Sequence, residues 1–331
     1  MSRGLAVLSV SLVLVGSTVA AAADLGLITG GAGGTYYHIG QDLKRLVKAR
    51  GIDLAIHPSN GAVDNVYAVS RRPDVQLAIV QSDVLALVAE QQSNPAMAHL
   101  AQNLHLVFPL FDEEVHVLAR RGVASFEDLA GKRVAIGREG SGMYVTARLL
   151  FKLAAIAPSE LVTADGAAAL AHLKAGRIDA LVTVMGQPAA RFKNEVKPAD
   201  GLALVPITTP AILERYEAAQ IPPGTYGWQS TAVSTVAVRA VLVAYDEDRR
   251  HCDALGRFAQ QVAAGTDWLV KNGHPLWKRV DLQRPVKGFP PYDCVRSYAD
   301  RPADAGSPAA STGERQRNPI EDAIEKALRN R

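Results

Sequence analysis

From Leu25 onward, short apolar runs alternate with helical patterns, and this alternation leaves few folds open. Residues 25–29 read as a buried strand. Residues 36–49 read as a helix with Ile39, Leu43, Leu46 and Val47 on one face. A strand over 54–56, a helix through Val63, Val66, Tyr67 and Val69, a strand over 77–80 and a helix over 82–90 follow. The strands are apolar almost throughout instead of alternating with polar residues. They are therefore expected to be covered on both faces, as in a parallel sheet between helices.

A second series repeats the design. Residues 105–110 and 115–119 are expected to form two strands joined by a charged, solvated turn at Asp112-Glu113-Glu114. Strands over 132–137, 161–163, 180–184 and 203–205 then alternate with helices through Val145 and Leu149, over 168–175 and from Gln187 to Phe192. Residues 231–243 are β-rich and return the chain to the first block, and a long helix is expected over 247–271. Two blocks of related construction predict two α/β lobes, one from 24–115 plus 236–300 and the other from 116–235. A ligand is expected in the cleft between them, where strand ends and helix starts converge.

The chain ends read differently. Residues 1–23 combine Arg3, an apolar run over 5–15 and three alanines before Asp24, the pattern of a signal peptide too short to span a membrane. Residues 301–317, rich in Ala, Pro, Ser and Gly, read as a flexible tail. Asn318-Pro319 opens a short helix with a weak stripe at Ile320, Ala323, Ile324, Ala327 and Leu328, expected to be frayed or docked on a partner. The two cysteines, Cys252 and Cys294, suit one disulfide in an exported protein or two separate buried thiols. A net charge of +3 without a basic stripe gives no reason to expect nucleic acid or an anionic membrane as partner.

Candidate ligand contacts come from four loops that lead from a strand into a helix: residues 29–37, 59–65, 80–83 and 137–143. Glycine lets backbone approach a ligand, and the first amides of a helix lack intrahelical partners and carry partial positive charge. Several such ends in one cleft form an anion site without arginine. Ser59, Asn60, Ser82 and Ser141 add side-chain hydrogen bonds, and Tyr36 and Tyr37 stand at the lip of the first loop. Taken singly, each of these loops is also an ordinary helix cap.

Motifs for catalysis are weak. Residues 31–36 lack the third glycine of a dinucleotide fingerprint, and no Walker-type lysine motif occurs. Glu139 stands where a nucleophile elbow around Ser141 needs glycine. The histidines show no ligand spacing beside an acid, so neither metal nor cofactor is expected.

These segments resemble the TAXI family, the solute receptors of one class of tripartite (TRAP) transporters. The resemblance rests on ITGGAGGTYYHIG at 28–40, SNGAVDN at 59–65, LAIVQSD at 77–83, GSGM at 140–143, AGRIDALVTVMGQP at 175–188 and GHPLWKRVDL at 273–282. It implies a periplasmic-binding-protein fold of the second topological class (type II). It also implies a small carboxylate such as an amino acid or organic acid as ligand, and membrane permease subunits as partner. By motif match the ligand-facing residues would be Gly31, Tyr36, Ser59, Asn60, Gly61, Gln81, Ser82, Ser141, Gly142, Gly186 and Gln187. Met143-Tyr144 replaces the Thr-Arg that the family often carries, which puts a strongly acidic ligand in doubt. The expected protein is a monomeric periplasmic receptor that closes on its solute. A periplasmic sensor signalling to a membrane partner is the alternative, and a hydrolase using Ser141 the least favoured reading.

Overall fold

The computed structural model describes residues 24–299 and 319–329, so the signal-peptide pattern and the segment 301–317 lie outside the described residues. The first alternating series forms β1 (Leu25–Ile28), α1 (Thr35–Lys48), β2 (Leu54–His57), α2 (Ala62–Arg71), β3 (Leu77–Gln81) and α3 (Ser82–Glu90). The next helix, α4 (Pro95–Asn103), carries no clear apolar stripe. Its start is set by Asn94, whose side chain accepts from the Ala96 and Met97 amides, with proline following at the first helical position.

The second series is β4 (Leu104–Arg120), β5 (Arg133–Ala135), α5 (Gly142–Leu153), β6 (Glu160–Val162), α6 (Gly166–Lys174), β7 (Ala180–Met185) and α7 (Ala190–Glu195). After it come β8 (Leu202–Val205), α8 (Pro210–Leu213), β9 (Glu217–Ile221) and β10 (Val233–Tyr245). The remaining helices are α9 (Cys252–Ala263), α10 (Thr266–Asn272), α11 (Asp293–Ala299) and α12 (Pro319–Arg329).

All ten strands belong to one hydrogen-bonded sheet in the order β2-β1-β3-β10-β4-β7-β5-β6, with β8 on β4 and β9 on β10. Pairing is parallel among β1, β2 and β3 and among β5, β6 and β7, so each half has the expected parallel core. The strands between the halves, β4 and β10, run antiparallel to each other and to their neighbours. Insertion of the late strand β10 between β3 and β4 is the order of the second class of two-lobed binding-protein folds.

β4 corrects the expected acidic turn. Its 17 residues run without interruption, and Asp112, Glu113 and Glu114 pair in register with Arg239, Val238 and Ala237 of β10. A strand of that length spans on the order of 55 Å, enough to serve both lobes. Pro109, which has no N–H to give, sits next to a register shift between Arg239 and Val241 where the ladder is already broken.

The expected long helix over 247–271 is also corrected, because it divides into α9 and α10 at Gly265. A Cβ at Gly265 would fall 2.5 Å from Leu46 Cδ1, so α1 presses on the chain at the break. Cys252, at the start of α9, is bonded to Cys294 in α11, with Cα atoms 5.2 Å apart.

Each half has apolar clusters on both faces of the sheet. In the first, α1 and α9 cover one face with Leu43, Leu46, Leu255 and Phe258, and α2 and α3 cover the other with Val66, Val69, Val84 and Leu87. In the second, Ala147, Leu150 and Phe151 join α5 to one face, and Leu170, Leu173 and Phe192 join α6 and α7 to the other. The first cluster under α2 and α3 also takes in Val145 of α5, so the two halves share packing.

Candidate functional site

The loops chosen from the sequence meet where the two halves touch. Gly61 adopts φ +134°, a backbone shape favouring glycine, and aims the first turn of α2 at the opposite half. The Val63 and Asp64 amides donate to the Gly140 carbonyl at 3.2 and 3.3 Å. These helix-start donors are thus held by a backbone oxygen from across the cleft. Ser141 caps α5, accepting from the Tyr144 amide at 3.2 Å and donating to the Arg138 carbonyl at 2.6 Å.

Ser59 and Asn60 are committed to shaping their own loop. The Ser59 hydroxyl accepts from the Gly61 amide at 2.9 Å and lies 2.6 Å from both the Thr29 carbonyl and Asn65 Oδ1. Asn60 donates through Nδ2 to Asp64 at 2.7 Å. Gly31 is exposed and lies near the same loop, since a Cβ there would be 3.9 Å from the Ser59 carbonyl oxygen.

The centre of the contact is Glu113, which is 4% exposed. Tyr36 donates its hydroxyl to Glu113 Oε2 at 2.6 Å, and Gln81 Nε2 donates to the same oxygen at 3.1 Å. Among the described residues no ion pair reaches this carboxyl. Burial pushes its pKa up to about 8, with Asp83 and Glu114 adding to the rise, while the bonds from Tyr36 and Gln81 oppose it. Gln81 Oε1 is buried and without a partner, and it lies against the bare backbone of Gly142. A Cβ at Gly142 would fall 1.6 Å from this oxygen, so the Gln81 amide keeps its place only with glycine there.

The flanking carboxylates of β4 are held differently. Asp112 is bound by Arg239 Nε at 2.9 Å and by Arg284 Nη1 at 2.9 Å, and both arginines also reach Glu217. Glu114, on the opposite face from Glu113, accepts from the Gln187 amide at 2.9 Å, from Gln187 Nε2 at 3.0 Å and from Arg279. Gly186 abuts Leu276 and the Asp112 carbonyl on that side.

The sequence-derived set therefore divides. Tyr36, Gly61, Gln81, Ser141 and Gly142 gather on the Glu113 side, with Gly31, Ser59 and Asn60 supporting the loop beside them. Gly186 and Gln187 lie beyond β4, beside Glu114. Ser82 turns away to accept from the Arg239 amide at 3.0 Å.

Asp83, next in α3, links the halves. It accepts from Thr146 of α5 at 2.7 Å and from Tyr216 at 3.1 Å, and burial pushes its pKa up to about 6. Ser82, Asp83, Tyr216 and Arg239 help line a cavity of about 340 Å³ between α3, α5 and β10.

Sequence reasoning missed Asp83, Glu113, Glu114, Tyr216 and Arg239. One signal was available: Asp112-Glu113-Glu114 joins two β-rich runs without the glycine, asparagine or proline that a tight hairpin favours. Among the described residues, no group of three or more His, Cys, Asp or Glu is placed to hold a metal ion. None of the described helices is long and apolar enough to cross a membrane.

Several solved structures align with this chain at low identity. The GluR0 ligand-binding core from Nostoc punctiforme, in complex with L-glutamate, is 16% identical with a TM-score of 0.45, over 75% of this chain and 98% of that one. The arginine-, lysine-, histidine-binding protein ArtJ from Geobacillus stearothermophilus is 15% identical with a TM-score of 0.45, over 79% and 96%. An ancestral arginine-binding protein bound to arginine is 15% identical with a TM-score of 0.47, over 75% and 97%. The model of the NMT1-like family matches residues 27–249, which carry both alternating series, both long strands and the residues around Glu113, and the chain belongs to that family.

Proposed function

We propose that this protein is a periplasmic receptor that captures a small amino acid between its two lobes and delivers it to a membrane permease. The observation that carries the reading is Glu113, a carboxyl enclosed at the meeting of both lobes with hydrogen bonds but no cation among the described residues. With no cation beside it, burial keeps this carboxyl protonated near neutral pH, and a positive charge in contact with it is what makes the ionised form favourable. An ammonium group on the solute supplies that charge, and Gln81 Oε1 is a second acceptor for its protons. The amides of Val63 and Asp64 suit the other end of a zwitterion, once the Gly140 carbonyl yields them to a carboxylate. The organic acids considered from the sequence are thereby disfavoured relative to amino acids.

The lobes of this reading are residues 24–115 plus 236–300 and residues 116–235, with crossings in β4 and β10. Tyr36, Gly61, Gln81, Ser141 and Gly142 line the cleft in this reading, Gly31, Ser59 and Asn60 support its loop, and Ser82, Gly186 and Gln187 stand outside it. Export is supported by the signal-peptide pattern over 1–23 and by the Cys252–Cys294 disulfide, which suits an oxidising compartment. The partner, permease subunits of the TRAP type, follows from the TAXI-like sequence strings alone.

The test is thermal unfolding with a panel of amino acids and their matched 2-oxo and 2-hydroxy acids. A true ligand at 100 times its dissociation constant adds about 2.7 kcal/mol of stability. Amino acids are expected to stabilise the protein and the amine-free acids are not, and Glu113→Gln is expected to abolish the preference. A panel without any stabilising member sinks the receptor reading. Equal stabilisation by amine-free acids sinks only the role of Glu113.

A further inference from the structure

The C-terminal helix α12 lies outside the matched residues and touches both lobes. Ile324, Ala327 and Leu328 are buried in the cluster built by α2 and α3 of the first lobe. On the side facing the second lobe, Glu325 pairs with Arg148 of α5, Oε2 to Nη1 at 2.5 Å, and accepts from the Tyr144 hydroxyl at 2.8 Å. Arg148 also donates to the Tyr144 hydroxyl at 2.8 Å, and its guanidinium lies over the Tyr144 ring at 5.3 Å. Lys152, one turn further along α5, reaches the Ala327 carbonyl at 3.4 Å.

We propose that α12 is an interlobe strap, whose seat is assembled by lobe closure and whose docking holds the lobes together. An isolated helix of this length is marginal in water, so its order depends on the surface it covers. That surface has an apolar half on α2 and α3 and a charged half on α5, and the two adjoin only while the lobes are closed. A segment that binds one arrangement better than another shifts the equilibrium toward it by the difference in affinity. Attachment to the same chain keeps the strap at high effective concentration. The strap favours closure whether or not a solute occupies the cleft. It therefore slows solute entry and exit, and it strengthens the equilibrium affinity of a solute that itself favours closure.

The amides of Val63 and Asp64 report the state of the cleft, because they donate across it to Gly140. Their hydrogen exchange is measured in the full-length protein with nothing added. Glu325→Arg is expected to speed exchange at both amides about tenfold or more, and pairing it with Arg148→Glu is expected to restore protection to within about twofold. If Glu325→Arg fails to fold, the milder Glu325→Gln is expected to give about a threefold rise. The proposal is overturned if α12 loses its own protection while Val63 and Asp64 keep theirs, or if the charge-reversed pair does not restore them. It is equally overturned if these two amides exchange freely in the unaltered protein. Protection that increases with protein concentration would mean that the helix comes from a second copy, against a strap within one chain.

Discussion

Replacing Glu113 with glutamine removes one titration from the centre of the lobe contact and keeps nearly the same shape. The carboxyl has an ordinary pKa of 4.5 and is pushed up to about 8 by burial. The folded protein therefore keeps a proton that the unfolded chain releases. Stability from this group is fully present below pH 4.5 and is lost as pH rises through about 8. Asp83 acts in the same direction, but only up to about pH 6. The histidines with shifted pKa values, His57, His105, His116 and His274, are all held below 6.5, so their contributions rise with pH and fade over about one unit above 6.5. The histidine contributions are common to the unaltered protein and Glu113→Gln, so the difference between the two from pH 6.5 to 8 isolates Glu113.

With one proton at stake, the loss from this group across that window is on the order of one kcal/mol per pH unit. Urea unfolding followed by tryptophan fluorescence measures it, with buried Trp277 as reporter. Between pH 6.5 and 8 the stability of the unaltered protein should fall relative to that of Glu113→Gln, by about 1 to 2 kcal/mol. Parallel profiles for the two proteins would refute the assignment of a buried, protonated Glu113.

Two further expectations concern the scaffold. The Cys252–Cys294 bridge joins residues 42 apart in sequence, so replacing both cysteines by serine should lower unfolding stability by about 4 kcal/mol, read from the shift in urea midpoint. Buried Asp42 accepts from the His274 amide at 2.6 Å and from Trp277 Nε1 at 2.9 Å. Asp42→Ala strands both donors and should cost about 3 kcal/mol in the same measurement.

Much of the fold was legible because it rests on local pattern. Apolar runs of strand length and helical stripes such as Ile39, Leu43, Leu46 and Val47 identify the β-α alternation from short windows of sequence. The small residues at Gly61, Ser141 and Gly142 were legible as helix starts for the same reason, since cap chemistry is local. The acidic triplet was misread because charge suggests solvent when only neighbours in sequence are considered. In β4 the partners that make burial tolerable are distant: Arg239 and Arg284 for Asp112, and Arg279 for Glu114. The terminal helix was expected to fray or to find another protein, because its stripe is weak by itself. Its seat comes from α2, α3 and α5, which no local window contains.

The sequence by itself determined the order of strands and helices, the two repeated blocks and the loops that start the helices, because each depends on residues a few positions apart. Only the tertiary structure decided that β10 lies between β3 and β4, that Glu113 is enclosed without a cation, and that α12 spans the lobes. Those outcomes depend on contacts between segments far apart along the chain, where burial and pairing, not local preference, set the energy.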